Sequence, residues 1–353
     1  MSGVAARLTL LSIAYPFALV GPDAVGGAEQ ILTCLDAALV RAGHRSVVIA
    51  PEGSACQGEL VPLPVPRGPL DEATQRAGHV QVRQAIAETL RRFPVDLLHF
   101  HGVDFAAYLP ADGPPALATL HLPVHVYPSE ALFPRRHATW LHCVSESQQR
   151  DCPPNAPLLA PVPNGVDLET LRPGARKRRF ALMLGRICPE KGFHEALDAA
   201  KKAGVPVVLA GEVFPYAEHK SYFREQIEPR LGPGARFIGP VGLQRKRRLL
   251  AAARCLIVPS RVPETSSLVS MEALASGTPV VAFRTGALPD IVRHGRTGLL
   301  VSTGDEMAQA LRDLETIDPA ECRRDAERRF SADTMIERYF ELYRQLVTQA
   351  VHA

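Results

Sequence analysis

Glu264 and Glu272 stand with seven residues between them in PSRVPETSSLVSMEA (259–273). The first sits in a loop after an apolar run, the second on the helix that follows. A carboxylate accepts hydroxyl hydrogens at both oxygens, so two of them at one helix start can grip the vicinal hydroxyls of a sugar or a ribose. Thr265, Ser266 and Ser267 add hydroxyls, and Leu268 and Val269 fall at a helix start where N–H groups are free. In isolation these are an ordinary loop charge and an ordinary helix-face charge. The sequel ALASGTPVVAF (273–283) argues otherwise, because it puts Glu272 in an apolar helix where an unpaired charge is costly.

A second group lies upstream in GRICPEKG (185–192). Arg186 and Lys191 flank a turn between a strand end and a helix start, and two cations beside a helix N-terminus suit a diphosphate. Near the other end of the chain, Gly26-Gly27-Ala28-Glu29 opens a helix. It reads either as a close-approach anion site or as a plain tight turn. The full G-x-G-x-x-G pattern is absent, so no dinucleotide is implied. His99 and His101, two apart on one strand, share a face. They could begin a metal site, but no nearby run of thiols or carboxylates completes one, and no metal is expected.

These residues need strands that end beside helix starts. Short apolar runs at 8–14, 46–50, 96–101, 115–121 and 139–145 alternate with helical patterns at 26–43 and 73–92. A segment dense in Pro, Gly and charge covers 151–178, with the linker placed near 169–178. The alternation then restarts, with strands at 181–185, 205–211, 235–240, 255–260, 279–283 and 297–301. Helices are expected at about 192–203, 216–229, 244–253, 267–276, 304–314 and 320–328, and a last one at about 332–350. The runs are continuously apolar, as in strands covered on both faces. The fold class is therefore α/β, with two doubly wound parallel sheets. Ligands of such sheets bind beyond the carboxyl ends of the strands. The basic runs 175–179 and 244–248 could be anionic-lipid patches, and the plainer reading, a solvated linker and a solvated helix face, is preferred.

The segment from Glu264 through Phe283 resembles the signature of glycosyltransferase family 4, a retaining family. Further matching pieces are GGAE (26–29), DLLHFHG (96–102), TLH (119–121), VSES (144–147), VPNGVD (162–167), LGRICPEKG (184–192), LAGE (209–212) and GALPDIVRHGRTGLLV (286–301), in the family's order across nearly the whole chain. The resemblance implies the GT-B fold: two Rossmann-like domains facing across a cleft, with the C-terminal helix crossing back to the first. It places an acceptor-side domain at 1–170 plus 333–353 and a nucleotide-sugar-binding domain at 171–332. It implies that Arg186 and Lys191 hold the donor diphosphate, that Glu264 binds the transferred sugar and that Glu272 binds the ribose. Gly26 and Gly27 would approach the donor phosphate or the acceptor, the backbone from Ser266 through Val269 would contact sugar and phosphate, and His121 would reach the transferred sugar. Glu264, His121, Arg186 and Lys191 are the expected catalytic group, and His101 and Asp104 the acceptor-side candidates. Where the family pattern after the first glutamate is Gly-Phe-Gly, this chain has Thr265-Ser266-Ser267, and Asp290 stands where the later loop commonly has Glu.

The implied reaction moves a sugar from a nucleoside diphosphate sugar, a co-substrate and not a cofactor, to an acceptor hydroxyl with retention and without metal. The alternatives are a sugar-nucleotide epimerase or hydrolase of the same fold, and a non-catalytic nucleotide-sugar-binding protein. Small-molecule (such as a pteridine), lipid and glycan acceptors all remain open. A formal charge of +3 over 353 residues gives no reason for a nucleic-acid partner. The seven cysteines form no C-x-x-C pair and read as buried thiols of a reducing compartment. A cytoplasmic location with at most peripheral membrane association is expected, since no apolar run reaches the length of about 20 residues that a span needs.

Overall fold

In the computed structural model, residues 7–351 are described apart from 67, 69 and 175. Residue 175 of the first basic run and residues 352–353 of the expected C-terminal segment lie outside the described set. The chain divides into two units: one holds the described residues up to Val162 and those from Ile336 on, the other Pro163–Met335.

The first unit is built on a six-stranded parallel sheet. Its strands are β1 (Thr9–Ile13), β2 (Arg45–Pro51), β3 (Glu59–Leu63), β4 (Leu97–Phe100), β5 (Ala116–Leu120) and β6 (Thr139–Cys143), in the order β3-β2-β1-β4-β5-β6. The second unit repeats this winding with β7 (Ala181–Leu184), β8 (Val207–Ala210), β9 (Ala235–Phe237), β10 (Cys255–Val258), β11 (Val280–Phe283) and β12 (Gly298–Val301), ordered β12-β11-β10-β7-β8-β9. In each sheet the chain starts in the middle, winds to one edge, returns and winds to the other. The loops after β1 and β4, and those after β7 and β10, therefore diverge from neighbouring strands, leaving a crevice at the carboxyl ends.

Continuous apolar runs mark the central strands: all of Leu97–Phe100 and all of Cys255–Val258 are buried. The strand β3 was not anticipated. Its sequence ELVPL is only partly buried, and Pro62 withholds an N–H, which a sheet tolerates at an edge, where β3 lies. The helix expected at 216–229 is regular only over Ala217–Tyr222. It widens over Phe223–Ile227 and tightens to a 3-10 turn at Glu228–Arg230, where Pro229 sits.

The change of unit falls earlier than the 170/171 boundary. Residues 163–166 are already tied to the second unit: Val166 N donates to Phe330 O at 2.8 Å and Ala332 N to Val166 O at 3.0 Å. A Cβ on Gly165 would meet Ser331 O at 2.4 Å, so only glycine fits this crossing. The basic stretch that follows is not a solvated linker throughout. Lys177 Nζ donates to Ala251 O at 3.0 Å and Ser276 O at 3.2 Å, and also to Thr278 Oγ1; burial pulls its pKa down to about 8.

The last helix, Ala332–Val351, belongs to the first unit from Ile336 on, and it packs there on a line of buried polar groups. His142 Nδ1 lies 3.0 Å from Cys143 O, which can only accept, so that nitrogen carries the hydrogen. Burial lowers the His142 pKa to about 4 and the ring is neutral, so its Nε2 accepts from Thr119 Oγ1 at 2.7 Å. Thr119 has no second hydrogen. It accepts from His99 Nε2 at 2.8 Å, and His99 Nδ1 accepts the Tyr343 hydroxyl at 2.9 Å. Every group in the chain Tyr343–His99–Thr119–His142–Cys143 thus has a fixed role, and all of it depends on neutral rings.

His99 and His101 are likewise held well below the ordinary histidine range, chiefly by burial, and His121 is lowered to about 3 by burial and then by His142. Unfolded histidines take up protons below about pH 6.5, whereas the folded rings do not. The unfolded state then binds more protons, so stability falls as pH falls, down to about 4 for His142. We expect the urea midpoint to decline between about pH 6.5 and pH 4.5, by about 1.4 kcal/mol per pH unit for each ring kept neutral. A flat profile of unfolding free energy over that range would contradict the neutral chain.

Candidate active site

In the second unit, the loops that leave β7 and β10 meet. Lys191 closes the short turn Pro189–Lys191 after β7, and Glu264 lies in the loop after β10. Lys191 Nζ donates to Glu264 Oε1 at 2.5 Å, and Ser260 Oγ donates to the same oxygen. Burial on its own would raise the Glu264 carboxyl. The Lys191 charge, the two hydrogen bonds and the more distant Arg186 charge outweigh it, and the net shift is downward. Glu264 is therefore a part-buried carboxylate with a cation in contact.

Two glycines permit this meeting. Gly192 has φ +61°, and a Cβ there would lie 2.3 Å from Pro259 O, while Arg261 N donates to Glu190 O at 2.9 Å across the same seam. Gly286, at φ +51°, lets the loop after β11 close on Glu264: a Cβ would lie 2.3 Å from Glu264 O, which accepts from Ala287 N at 2.7 Å. Ser260, Gly192 and Gly286 were not singled out in the sequence. Of these, only the glycines carry a local signal, as turn residues after apolar strands.

Glu272 lies on the helix Leu268–Ala275, capped by Ser267, and is 6% exposed. Its Oε1 accepts from Lys246 Nζ at 2.6 Å; its Oε2 is buried with no hydrogen-bond partner. Lys246 belongs to the run 244–248 that the sequence assigned to a solvated helix face. The structure corrects that for this residue, whose side chain is 14% exposed and paired. The pairing joins the helix Leu243–Ala252 to Leu268–Ala275, and no local spacing announces it. At the start of that second helix, Ser267 and Ser270 share a hydroxyl contact at 2.8 Å, and Ser266 Oγ is buried with no partner. Leu268 and Val269 form the first turn. Arg186, exposed just past β7, places its guanidinium 5.7 Å from the Phe214 ring centre.

The remaining candidates belong to the first unit. Gly26 caps the helix Gly27–Arg41, and a Cβ on it would lie 1.9 Å from Glu29 Oε2. A carboxylate thus already sits at this helix N-terminus, as in a capping box. His101 and His121 leave the adjacent strands β4 and β5 and stack, with Nδ1 of the first 3.1 Å from Nε2 of the second. His101 Nε2 is buried without a partner. Asp104 accepts from the Tyr108 hydroxyl at 2.8 Å and contacts His79 Nε2 at 2.7 Å; His79, from the helix Glu72–Arg92, was not anticipated.

Three more side chains come together in the second unit without having been foreseen. Cys188, Glu190 and His219 bring one ligand atom each within 4.8 Å of one another. No helix among the described residues is long and apolar enough to cross a membrane.

A family profile described as Glycosyltransferase Family 4 matches residues 25–170, and one described as Glycosyl transferases group 1 matches residues 178–316. The chain is 38% identical over 159 residues to the D-inositol 3-phosphate glycosyltransferase of Mycobacterium tuberculosis and of Mycobacterium bovis. That match covers 41% of this chain and 33% of the relative, so the chain aligns with about a third of the length of those proteins. Among solved structures, a glycosyltransferase involved in avilamycin A biosynthesis is 26% identical, with a TM-score of 0.70 over 97% of this chain and 98% of that one. Sucrose-phosphate synthase from Thermosynechococcus elongatus superposes with a TM-score of 0.79 at 21% identity, covering 97% and 100%. An Anabaena protein, HepE, solved in complex with UDP-glucose, has a TM-score of 0.72 at 18% identity, covering 95% and 99%.

The Lys246–Glu272 pair gives a direct test of the local packing. Lys246→Ala leaves a buried carboxylate without its cation and should lower stability by about 3 kcal/mol or more. Adding Glu272→Gln should recover part of the loss in a double-mutant cycle of urea unfolding. Additive single effects would mean that the contact carries no energy.

Proposed function

The chain belongs to glycosyltransferase family 4, with the GT-B fold, and we propose that it transfers a sugar from a nucleoside diphosphate sugar to an acceptor hydroxyl with retention at the anomeric carbon. The observation that carries this reading is the pair of carboxylates past the carboxyl end of β10, the part-buried Glu264 on Lys191 and the buried Glu272 on Lys246.

The roles follow from the chemistry of each group. Glu272 keeps one buried oxygen unpartnered, suited to a ribose hydroxyl. Arg186 and Lys191 take the diphosphate, together with the first-turn N–H groups at Leu268 and Val269. In a transition state of oxocarbenium character, negative charge grows on the departing diphosphate. Cations fixed beforehand stabilise that charge without reorganisation. Glu264 accepts hydroxyls of the transferred sugar once Lys191 turns to the phosphates. We assign the leaving phosphate, and no protein carboxylate, as the group that takes the acceptor proton, because the cations hold Glu264 as a carboxylate and place it among sugar hydroxyls. The reaction uses no metal. His121, with His101 against its ring, is assigned to the transferred sugar, His101 and Asp104 to the acceptor side, and the protein to the cytoplasm.

Two experiments test the reading. In a thermal-shift screen of UDP-, GDP- and ADP-sugars, one donor at about 100 times its Kd should stabilise the protein by about 2.7 kcal/mol. No shift with any of them would remove the donor site. With the donor found, Glu264→Gln should cut transfer by about 100-fold or more while nucleoside diphosphate affinity changes only a few fold. Lys191→Ala should weaken that affinity as well. Donor turnover that proceeds equally well without acceptor would favour a hydrolase or epimerase.

A further inference from the structure

The turn that carries Arg186 and Lys191 holds a second cluster. Cys188 is buried and begins the turn, Glu190 is exposed within it, and His219 lies on the neighbouring helix Ala217–Tyr222. One sulfur, one carboxylate oxygen and one imidazole nitrogen fall within 4.8 Å of one another. His219 is 8% exposed, and its Nδ1 is buried with no hydrogen-bond partner, although a buried ring nitrogen normally has one. The ring is fixed in place by neighbours: its centroid lies 5.1 Å from that of Tyr216 and 6.3 Å from that of Phe214.

We propose that Cys188, Glu190 and His219 bind one thiophilic divalent cation, with Zn2+ the best fit, and leave a fourth position open. A thiolate, an imidazole and a carboxylate are a zinc donor set, at about 2.3, 2.0 and 2.1 Å from the ion. Mg2+ and Ca2+ prefer all-oxygen shells and are excluded by the sulfur. The ligand atoms must draw together by about 1 Å to reach tetrahedral spacing. Two of the three lie on a short turn, which supplies that freedom. Binding releases the Cys188 thiol proton to solvent. The ion would fasten the turn bearing Arg186 and Lys191 to the helix Ala217–Tyr222, as a clip that takes no part in sugar transfer. The inference does not rest on the donor assignment.

The test uses the full chain without an affinity tag and with no sugar nucleotide present. Titration with Co2+ should produce the near-ultraviolet thiolate-to-cobalt band and the intense visible bands of a tetrahedral site, with one equivalent bound. Zn2+ should displace the cobalt. Cys188→Ala should abolish the thiolate band, His219→Ala should weaken binding by about 100-fold or more, and Glu190→Gln, at an exposed position, by about 10-fold. Wild-type protein without a thiolate band, or a band that survives Cys188→Ala, overturns the site. Should Cys188→Ala not fold, Glu190→Gln with unchanged Zn2+ affinity overturns it instead.

Discussion

The second unit is organised around a cation and a carboxylate that are held in contact and largely shielded from solvent. A lone Glu264 in this position would be protonated or would pull in water; Lys191 makes its charged form the stable one. That requirement fixes the loops. Lys191 reaches Glu264 only if the turn after β7 lies against the loop after β10, and backbone can come that close only at Gly192. Glu264 in turn is held by the loop after β11, which passes at Gly286 for the same reason. Three separate loops thus converge around one part-buried ion pair. The parallel sheet makes the convergence possible, since it delivers all three loops at the same edge.

The first unit solves a different problem with neutral groups. Strands β4, β5 and β6 carry His99, Thr119 and His142 toward the C-terminal helix, and the hydroxyl of Tyr343 completes their hydrogen bonds. A helix that merely filled an apolar surface would tolerate many registers. One that must place a hydroxyl 2.9 Å from a buried imidazole tolerates few. The histidine face at 99 and 101 is in this sense half structural. His99 is consumed by the helix contact, and His101, two residues further toward the strand end, keeps a ring nitrogen unpartnered.

The architecture was legible in the sequence because a parallel strand covered on both faces writes itself as an unbroken apolar run, and eleven such runs coincide with strands. The edge strand β3 was not legible, since only Leu63 of it is fully buried and Pro62 breaks the pattern. The charged residues showed a sharper division. Glu264, Glu272, Arg186 and Lys191 stand at strand ends and helix starts, where local rules point to function. Lys246 and Lys177 stand in basic runs that local rules assign to solvent, and both are committed to buried partners. Their partners lie on other elements, so nothing in the neighbouring sequence records the pairing. Cys188 and His219 were hidden in the same way, on two elements that only the fold brings together.

Each glutamate of the pair has a cation, but only at Glu264 would a ligand of the proposed function have to exchange with it. A buried carboxylate stripped of its cation is costly. Under the proposed function, sugar hydroxyls would supply Glu264 with hydrogen-bond donors while a diphosphate claims the Lys191 ammonium. Glu272 is arranged differently: Lys246 holds one oxygen and the other is unpartnered, so it can take a hydroxyl with no exchange at all. Under the proposed function, the nucleoside end of a donor would dock onto a preformed acceptor of hydrogen bonds. The sugar end would have to open an ion pair, and the cost of opening it would favour ligands that carry both a diphosphate and a sugar.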